Sequence, residues 1–480
     1  MKRRHFLINF FLWILAFLFG YKIRNFEISD LNYIDKKGLI TSEKKETLNE
    51  KLEQLIIYKS ATLNIPSDYK TLQDAIDDLS TRVIKHGAII YLNIESGHKL
   101  TDGLDLRDGD FSSFRIIAED KMVEVDKSQF PSNRRASFYF QNCHAPSLQC
   151  MIDLKFIGRD GWYLRGSRGE WWSENEKPTG ITHAGEDGLV VDQASDMRLM
   201  GVDYKDGKLV RSGVGGAVFR CVDNNRINLH VHGSVFQSRK INAIKEVDFS
   251  NSISKKDWEW YNILIIHGSM ASIEGVKAVN SNGVGLAVRK GSSCDAGFID
   301  VSNAKTSGIL VDDSSICNAS EAIANNCNEE GFTVRAASSL NVIGATSKNC
   351  KIGVEASTGS KCSCNNAILS NNNLGVVSGH GSSISANNVD CSNAKNVGIF
   401  AYGSSQISAG NSNASGAGEN GVRAKEGSNI FFNNSNAQKG VSPSKSDIVV
   451  SEGSVINASG ARGGISENEN SLTGNGIIYK

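Results

Sequence analysis

The chain has 480 residues, with 52 basic and 52 acidic side chains, 47 glycines and only 5 prolines. Because its formal net charge is zero, bulk electrostatics do not favour a nucleic acid or an anionic membrane surface as a partner. The second half is rich in Ser, Asn and Gly, as many disordered chains are, but its strict repeat period predicts an ordered structure.

Residues 1–25 are typical of an export signal or membrane anchor. Lys2, Arg3 and Arg4 precede the apolar run 6–20, which is short for a membrane span. The string RRHFL also resembles a twin-arginine signal, and no obvious small-x-small cleavage site follows it, so retention as an anchor stays open. We therefore expect a bacterial protein that is secreted or held at the cell surface.

Residues 26–62 are interpreted as a linker with a short helical neck. Leu48, Leu52 and Leu55 are spaced four and three residues apart among polar side chains. This spacing fits a short coiled coil and, equally well, an isolated amphipathic helix. A three-stranded neck would place three copies of the chain side by side.

Residues 63–127 are predicted to form an N-terminal cap and the first rungs of a solenoid. Thr71 and Asp74 resemble a capping box. An apolar stripe follows, formed by Leu72, Ala75, Ile76 and Leu79. We expect a helix that covers the open end of the solenoid, where unpaired strand edges would otherwise be exposed.

Residues 285–480 contain a glycine that returns every 22 or 23 residues. Its positions are Gly285, Gly308, Gly331, Gly353, Gly375, Gly398 and Gly421. Alternating stretches and Ser- or Asn-rich corners follow each glycine, as in short strands joined by turns. At about 3.3 Å per residue, one period makes one circuit of three strands, so the sequence predicts an all-β, parallel β-helix. Residues one period apart would stack about 4.8 Å apart.

Several cysteines occupy columns that other rungs fill with small residues. We therefore predict free, buried thiols. Stacking makes a disulfide between Cys294 and Cys317, or between Cys327 and Cys350, the alternative.

Residues 128–284 keep the rungs but interrupt them with insertions, and we place the functional site there because loops on a rigid scaffold commonly carry function. The insertion 158–178 combines arginines with aromatic rings that could stack on sugars. It is interpreted as the wall of a groove for an acidic polysaccharide. The proposed substrate-binding residues are Arg165, Arg168, Trp171 and Trp172. Packing against a neighbouring subunit is the alternative explanation.

Counting from the glycines aligns further polar side chains. One predicted column contains Asp192, Arg220, His267, Arg289, Asp312 and Arg335. A second column pairs Tyr204 with His232, and Lys208 follows Tyr204 in a turn. The phrase INLHVHGS places His230 and His232 on one face of a strand.

These side chains suit β-elimination on a uronic-acid polymer. That reaction needs cations to neutralise the C6 carboxylate, a base for the C5 proton and an acid for the leaving oxygen. Arg220 and Lys208 would neutralise the carboxylate, and Tyr204 and His232 would act as base and acid. The remaining predicted substrate contacts are His267 and Arg289.

Two other functions stay open. A glycoside hydrolase needs two carboxyl groups about 5 to 10 Å apart, for which Asp187, Asp192 and Asp203 are available. A non-catalytic glycan-binding protein or adhesin would use the same residues for recognition alone. The sequence has no convincing acidic cluster or paired CxxC pattern, so we expect no metal and no other cofactor.

Three features of the sequence resemble phage tail-spike proteins of the pectate-lyase-like superfamily, and among those proteins the capsule-degrading heparosan lyases. The features are the segment IPSDYKTLQDAIDDLS at 65–80, the AS or GS dipeptides at the corners of the rungs, and the segment INASGARGG…GNGIIYK at 456–480. The resemblance implies a homotrimer of right-handed parallel β-helices that cleaves a glucuronate-containing glycan by elimination. It also implies a site around Tyr204, Lys208 and Arg220, assisted by His232 or His267. The export signal departs from phage spikes and favours a bacterial enzyme of phage descent.

Overall fold

The computed structural model describes most of the chain after residue 54. The described ranges are 55–131, 135–157, 159–174, 177–205, 208–210, 217–238, 244–253, 261–438, 447–464 and 476–479. Of Glu174, residues 201–205 and residues 208–210, the backbone alone is described. The predicted export signal, and Leu48 and Leu52 of the predicted neck, lie outside these ranges. Within them, no helix is long and apolar enough to span a bilayer.

The described chain is almost entirely β, and its strands stack in three parallel sheets. The long sheet contains Leu104–Arg107, Ala136–Gln141, Asp160–Arg165, Leu189–Asp192, Ile227–His232, Tyr261–Ile266, Val284–Val288, Ile309–Val311, Glu330–Val334, Ile352–Ala356, Leu374–Ser378, Val397–Ala401, Asn420–Ala424 and Ile448–Val450. The second sheet contains Ala61–Ile65, Ile90–Ile94, Phe114–Ala118, Ser147–Leu148, Arg168–Glu174, Asp196–Lys205, Val235–Gln237, Met270–Ser272, Ser293–Asp295, Ile316–Asn318, Ser339–Asn341, Lys361–Ser363, Ser383–Ser385, Gln406–Ser408, Asn429–Phe431, Val455–Asn457 and Ile477–Tyr479, with Lys208–Val210 as an antiparallel branch. The third sheet contains Val123–Glu124, Met151–Asp153, Pro178–Thr182, Ala217–Val222 and Ile244–Asp248.

Each circuit of the chain passes through these sheets in turn, so the predicted parallel β-helix is confirmed. Beyond Asp248 the third sheet continues as single bridges, from Lys277 to Asp300 and onward to Arg462. A separate pair of short strands, Ile56–Ile57 and Val83–Ile84, lies near the N-terminal end. The homotrimer stays a prediction.

The predicted helix is confirmed as α1 (Leu72–Leu79), and its role as a cap stays a prediction. The Thr71 side chain accepts a hydrogen bond from the Asp74 backbone N–H at 3.1 Å. The apolar stripe is buried, as predicted. The Gln73 side chain accepts a hydrogen bond from the backbone of Asp105, so α1 is tied to the first strand of the long sheet.

The recurring glycine marks a place where backbones approach closely. A Cβ on Gly308 would lie 2.6 Å from the carbonyl oxygen of Gly331 and 2.7 Å from Ala324 Cβ. A neighbouring column of buried serines explains the AS and GS corners. The backbone N–H of Ser292 donates to Ser315 Oγ at 3.2 Å, and the next rungs repeat this bond.

All ten cysteines are buried and free, which confirms the prediction of free thiols. Cys294 and Cys317 are register partners in the second sheet but form no disulfide. Burial raises the pKa of the Cys150 thiol to about 12, so this side chain behaves as a small apolar residue.

Candidate active site

Three neighbouring strands of the long sheet carry polar side chains on the outside of the solenoid: Asp160–Arg165, Leu189–Asp192 and Ile227–His232. Successive residues of a strand alternate between its two faces, so the apolar positions point into the core. These inward residues, all fully buried, are Leu164, Leu189, Val191, Leu229 and Val231. The same alternation turns Tyr163, Asp192 and His232 outward. Asp192 and His232 are direct register partners.

These outward side chains line a cavity of about 870 Å³. Its lining residues are Arg135, Arg159, Asp160, Tyr163, Glu186, Asp187, Val190, Asp192, Gln193, Arg226, His230 and His232. Eleven of these twelve side chains are polar, and the set combines imidazole, phenol, guanidinium and carboxylate groups.

Asp192 is the carboxylate that links the phenol to one imidazole. The Tyr163 hydroxyl donates to Asp192 Oδ2 at 2.5 Å. His232 Nδ1 lies 2.8 Å from Asp192 Oδ1, but the ring N–H is not aligned with that oxygen, so this contact is electrostatic and not a hydrogen bond. The Arg135 guanidinium hydrogen-bonds the Tyr163 hydroxyl and stacks over its ring, 4.3 Å from the centroid.

Burial, followed by the hydrogen bond and charge of Asp192, raises the pKa of Tyr163 well above its usual value. The phenol is therefore protonated at neutral pH. It can serve as a proton donor, and Asp192 fixes its orientation.

A second imidazole–carboxylate pair lies beside the first. His230 Nδ1 donates to Asp187 Oδ2 at 3.0 Å, because an ionised carboxylate can only accept. Arg226 binds both oxygens of Asp187, at 2.8 and 2.9 Å. Burial opposes the charge of Asp187, but the bonds from His230 and Arg226 outweigh it and hold the pKa of Asp187 below its usual value.

Asp160 is a third buried carboxyl group at the edge of the cavity. Burial, and then the charge of Asp187, raise the pKa of Asp160 to about 8. Asp187 and Asp192 are themselves nearly inaccessible, with side chains 2% and 10% exposed. A hydrolase needs one carboxyl group to reach the glycosidic oxygen and another to reach water or the sugar. Asp187 and Asp192 instead hold neighbouring donors, so among these buried groups we favour proton transfer by the imidazole and the phenol. Glu186 is the more exposed carboxylate of the cavity and lies 3.8 Å from Arg159.

His267 extends this polar group toward the next rung. Its ring lies 4.4 Å from that of His232, and its Nε2 lies 3.3 Å from Lys290 Nζ. Burial, followed by the charges of His232 and Lys290, lowers the pKa of His267, so its neutral form is favoured. Arg289, one strand further on, points its Nη2 at Asp312 Oδ2 at 3.4 Å.

The structure separates Arg220 from this cavity, so its predicted position in the column is wrong. Arg220 lies on the third sheet, where it pairs with Gly180 and Asp248. The reason is the length of one rung: Leu189 pairs with Leu229, 40 residues later, whereas the glycine count assumed a spacing closer to the regular period.

The predicted stacking of Tyr204 on His232 is also wrong. Tyr204 belongs to the strand Asp196–Lys205 of the second sheet, whose parallel neighbours are Arg168–Glu174 and Val235–Gln237. Its backbone pairs with Leu209 in a hairpin that contains Lys208. The side chains of Tyr204 and Lys208 lie outside the described part of the chain.

The predicted aromatic groove wall at 158–178 is wrong, because this segment supplies two strands of the solenoid. Trp171 points into the core, where it is 1% exposed and packs against Trp162. Trp172 faces outward on the second sheet, with the Arg115 guanidinium 4.5 Å from its ring. The exposed Arg168 begins the same strand of the second sheet.

Of the predicted wall segment, Arg159, Asp160 and Tyr163 line the cavity, and Arg165 lies beside it. Arg165 is the register partner of Asp192, and its Nε donates to Gln193 Oε1 at 2.7 Å. Sequence reasoning missed Arg135 and Arg226, and it placed Tyr163 in a loop. The alternation within residues 160–165 and 227–232 was the signal that could have placed Tyr163 beside the histidines.

No protein-family model and no curated protein matches this chain. Among solved structures, it is similar to the periplasmic alginate epimerase AlgG, at 9% identity over 95% of this chain and 99% of the other, with a TM-score of 0.37. It is similar to the A-module of the Azotobacter vinelandii mannuronan C-5 epimerase AlgE6, at 12% identity over 77% and 91%, with a TM-score of 0.27. A third similar structure is the Agl-KA catalytic domain, at 11% identity over 82% and 62%, with a TM-score of 0.26. At these TM-scores the likenesses assign the chain neither a family nor an activity.

Proposed function

We propose that the protein is a polysaccharide lyase that cleaves a uronic-acid-containing glycan by β-elimination in the cavity on the long sheet. The observation that carries this proposal is the shared carboxylate of Asp192. It holds the phenol of Tyr163 and lies beside the imidazole of His232, in an open cavity that is also lined by arginines.

Arg135 and Arg159 are the cations we assign to the substrate carboxylate. Arg159 is exposed, and its nearest acidic contact, Glu186, is 3.8 Å away. Arg135 lies directly over Tyr163. Arg226 is already bound by Asp187 through two hydrogen bonds, so we assign it a positioning role. Positive charge at the C6 carboxylate would stabilise the carbanion character that develops when the C5 proton leaves.

His232 is the proposed base. Its Nδ1 faces Asp192, and its Nε2 has no partner among the described residues, so Nε2 would take the C5 proton. The imidazolium that forms would be stabilised by the adjacent carboxylate. His230, with Asp187 behind it, is a second imidazole on the same face.

Tyr163 is the proposed acid. The electron pair of the broken C5–H bond forms the C4–C5 double bond, the C4–O bond breaks, and the leaving oxygen takes the phenolic proton. The raised pKa of Tyr163 means that the phenol holds this proton at neutral pH, and Arg135, which hydrogen-bonds the hydroxyl, would stabilise the phenolate that forms. Solvent then returns a proton to the phenolate, and His232 loses its own to solvent.

Residues 1–25 support export, and the resemblance to heparosan lyases supports a glucuronate-containing chain as substrate. Tyr204 and Lys208 remain further candidates, because the hairpin formed by Asp196–Lys205 and Lys208–Val210 belongs to a neighbouring sheet. The homotrimer belongs to the same proposal. The alternative is a non-catalytic glycan-binding protein, and the experiment must distinguish it from the lyase.

The test is incubation of the full chain with heparosan, hyaluronan and alginate, followed by the ultraviolet absorbance of the new C4–C5 double bond. We expect absorbance to rise with at least one polymer and to be lost in His232→Ala and Tyr163→Phe. His86→Ala, which changes an exposed histidine outside the cavity, is the matched control. Binding without any absorbance would refute the lyase and leave a glycan-binding protein. Deuterium exchange at C5 without cleavage would refute elimination while retaining the base.

A further inference from the structure

A pair of aromatic rings lies on the same outer face of the long sheet, far from the cavity. Phe400 and Tyr402 stack with ring centroids 5.3 Å apart and an interplanar angle of 25°. His380 from the preceding rung packs its ring edge against Tyr402 at 5.0 Å. Both Phe400 and Tyr402 remain partly exposed. We call Phe400 and Tyr402 the aromatic platform.

The backbone beneath the platform is adapted to it. Gly379 precedes Tyr402 by one rung, and a Cβ at Gly379 would lie 2.4 Å from Tyr402 Cζ. The ring therefore occupies the space that a side chain at that position would fill. The Tyr402 ring therefore packs over the backbone of the preceding rung, and the residue stays partly exposed.

Cationic side chains surround the platform. Lys425 Nζ lies 6.0 Å from the Phe400 centroid and 5.8 Å from the Tyr402 centroid, and it pairs with the exposed Glu426 at 2.6 Å. The Arg423 guanidinium lies 6.0 Å from the Phe400 centroid. Its Nε is buried without a hydrogen-bond partner, and no ion pair of Arg423 occurs within the described ranges. Arg423 is partly exposed, so the part of its guanidinium other than the buried Nε can receive an incoming carboxylate.

The platform and the cavity lie on one surface. Seven strand steps of the long sheet separate Ile227–His232 from Val397–Ala401. At about 4.8 Å per step, the separation is roughly 34 Å along the solenoid axis. Arg289 and Arg335, which share Asp312, lie along the same edge between the two places. A long acidic chain that runs parallel to the axis could thus contact both.

We propose that the aromatic platform is a second binding subsite for the acidic polysaccharide whose cleavage is proposed above, and this inference rests on that function. A sugar ring would stack on Phe400 and Tyr402, and its carboxylate would pair with Arg423 and Lys425. Aromatic faces suit the apolar face of a sugar ring, and guanidinium suits a carboxylate. The continuous face and the unpaired guanidinium favour this occupant over a protein partner. Long chains would bind both places, and short oligosaccharides would bind the cavity alone.

The test measures binding of heparosan, hyaluronan and alginate polymers to the full chain. His232→Ala is the background, so that no cleavage interferes. In that background, we expect the double change Phe400→Ala and Tyr402→Ala to raise the Kd of whichever polymer binds by about tenfold. Truncation of buried aromatic residues at the centre of other interfaces has an effect of this size. Phe431→Ala is the matched control, because Phe431 is 47% exposed on the second sheet. Arg423→Gln tests the same subsite without removing a packed ring, and thermal melting checks the fold of each variant.

The platform is supported if these variants lose affinity for polymer in the His232→Ala background. The same platform changes, made in the protein that keeps His232, should leave turnover of short oligosaccharides intact. It is overturned if the platform variants and Arg423→Gln bind every polymer as tightly as the Phe431→Ala control does, or if none of the three polymers binds. If polymer binding depends on the platform but the wild-type protein cleaves nothing, the subsite stands and the elimination reaction falls.

Discussion

The substitution Asp192→Asn tests whether one buried carboxylate supports both proposed proton transfers. Asp192 accepts from the Tyr163 hydroxyl at 2.5 Å and lies 2.8 Å from His232 Nδ1. Asparagine keeps the volume and one acceptor oxygen but removes the negative charge. A hydrogen bond to a charged group is worth about 1.5–3 kcal/mol, and about 1.4 kcal/mol is a factor of ten, so we expect kcat to fall by about 10- to 100-fold with KM nearly unchanged.

The same substitution should also move the alkaline limb of the pH profile. Tyr163 must be protonated to donate, so activity is lost as the pH rises through the pKa of this phenol. Burial makes the largest contribution to that raised pKa, and the hydrogen bond and charge of Asp192 follow. Because Asn carries no charge, the pKa of Tyr163 should be lower in the variant, and its activity should disappear at a lower pH.

The assay is the initial rate of double-bond formation, measured across pH on the polymer that is cleaved. Asp196→Asn is the control, because Asp196 forms an ion pair with Arg198 on the second sheet, away from the cavity. A thermal melt should show that both variants are folded. An Asp192→Asn enzyme with a kcat within about twofold of wild type and an unmoved alkaline limb would refute the role of Asp192, since the loss expected from one charged hydrogen bond is larger.

Three further changes test other parts of the structure. Tyr163→Phe should lower kcat by about 100-fold or more through loss of the acid, measured with saturating polymer, and normal turnover would exclude Tyr163. The raised pKa of Asp160, about 8, means that its stabilising contribution is complete below its unfolded pKa and is lost as the pH rises through 8. Asp160→Asn should therefore raise the melting temperature at pH 8 more than at pH 5, and an equal change at both would contradict this. Arg226→Gln should destabilise the fold by about 2 kcal/mol in urea unfolding, because it leaves buried Asp187 with fewer donors, and an unchanged midpoint would show that His230 suffices. 

Much of the architecture was predictable because its cause is local and repeated. The spacing of Gly285, Gly308 and the later glycines reports a backbone contact that recurs on every rung. Alternation within INLHVH correctly placed His230 and His232 on one face of a strand, and the structure turns that face outward. The cap helix was equally readable, since Thr71 and the stripe that follows it lie within a few residues of each other.

The candidate site depended on contacts that the period does not describe. Between Leu189 and Leu229 one rung takes 40 residues, so counting from the glycines moved Arg220 and Tyr204 into the wrong columns. Likewise, whether Trp171 faces the core or solvent depends on which strand its segment forms, and that is set by pairing with neighbouring rungs.

The sequence by itself determined the solenoid, the helix at its N-terminal end and the placement of the two histidines on one face, because each follows from a short-range pattern in the chain. The tertiary structure decided that Tyr163, Asp192 and His232 meet in one cavity and that Arg220 does not belong to it. The physical reason is that register between rungs is fixed by pairing across whole circuits, and an insertion changes the sequence distance between neighbours while leaving their spacing in space unchanged.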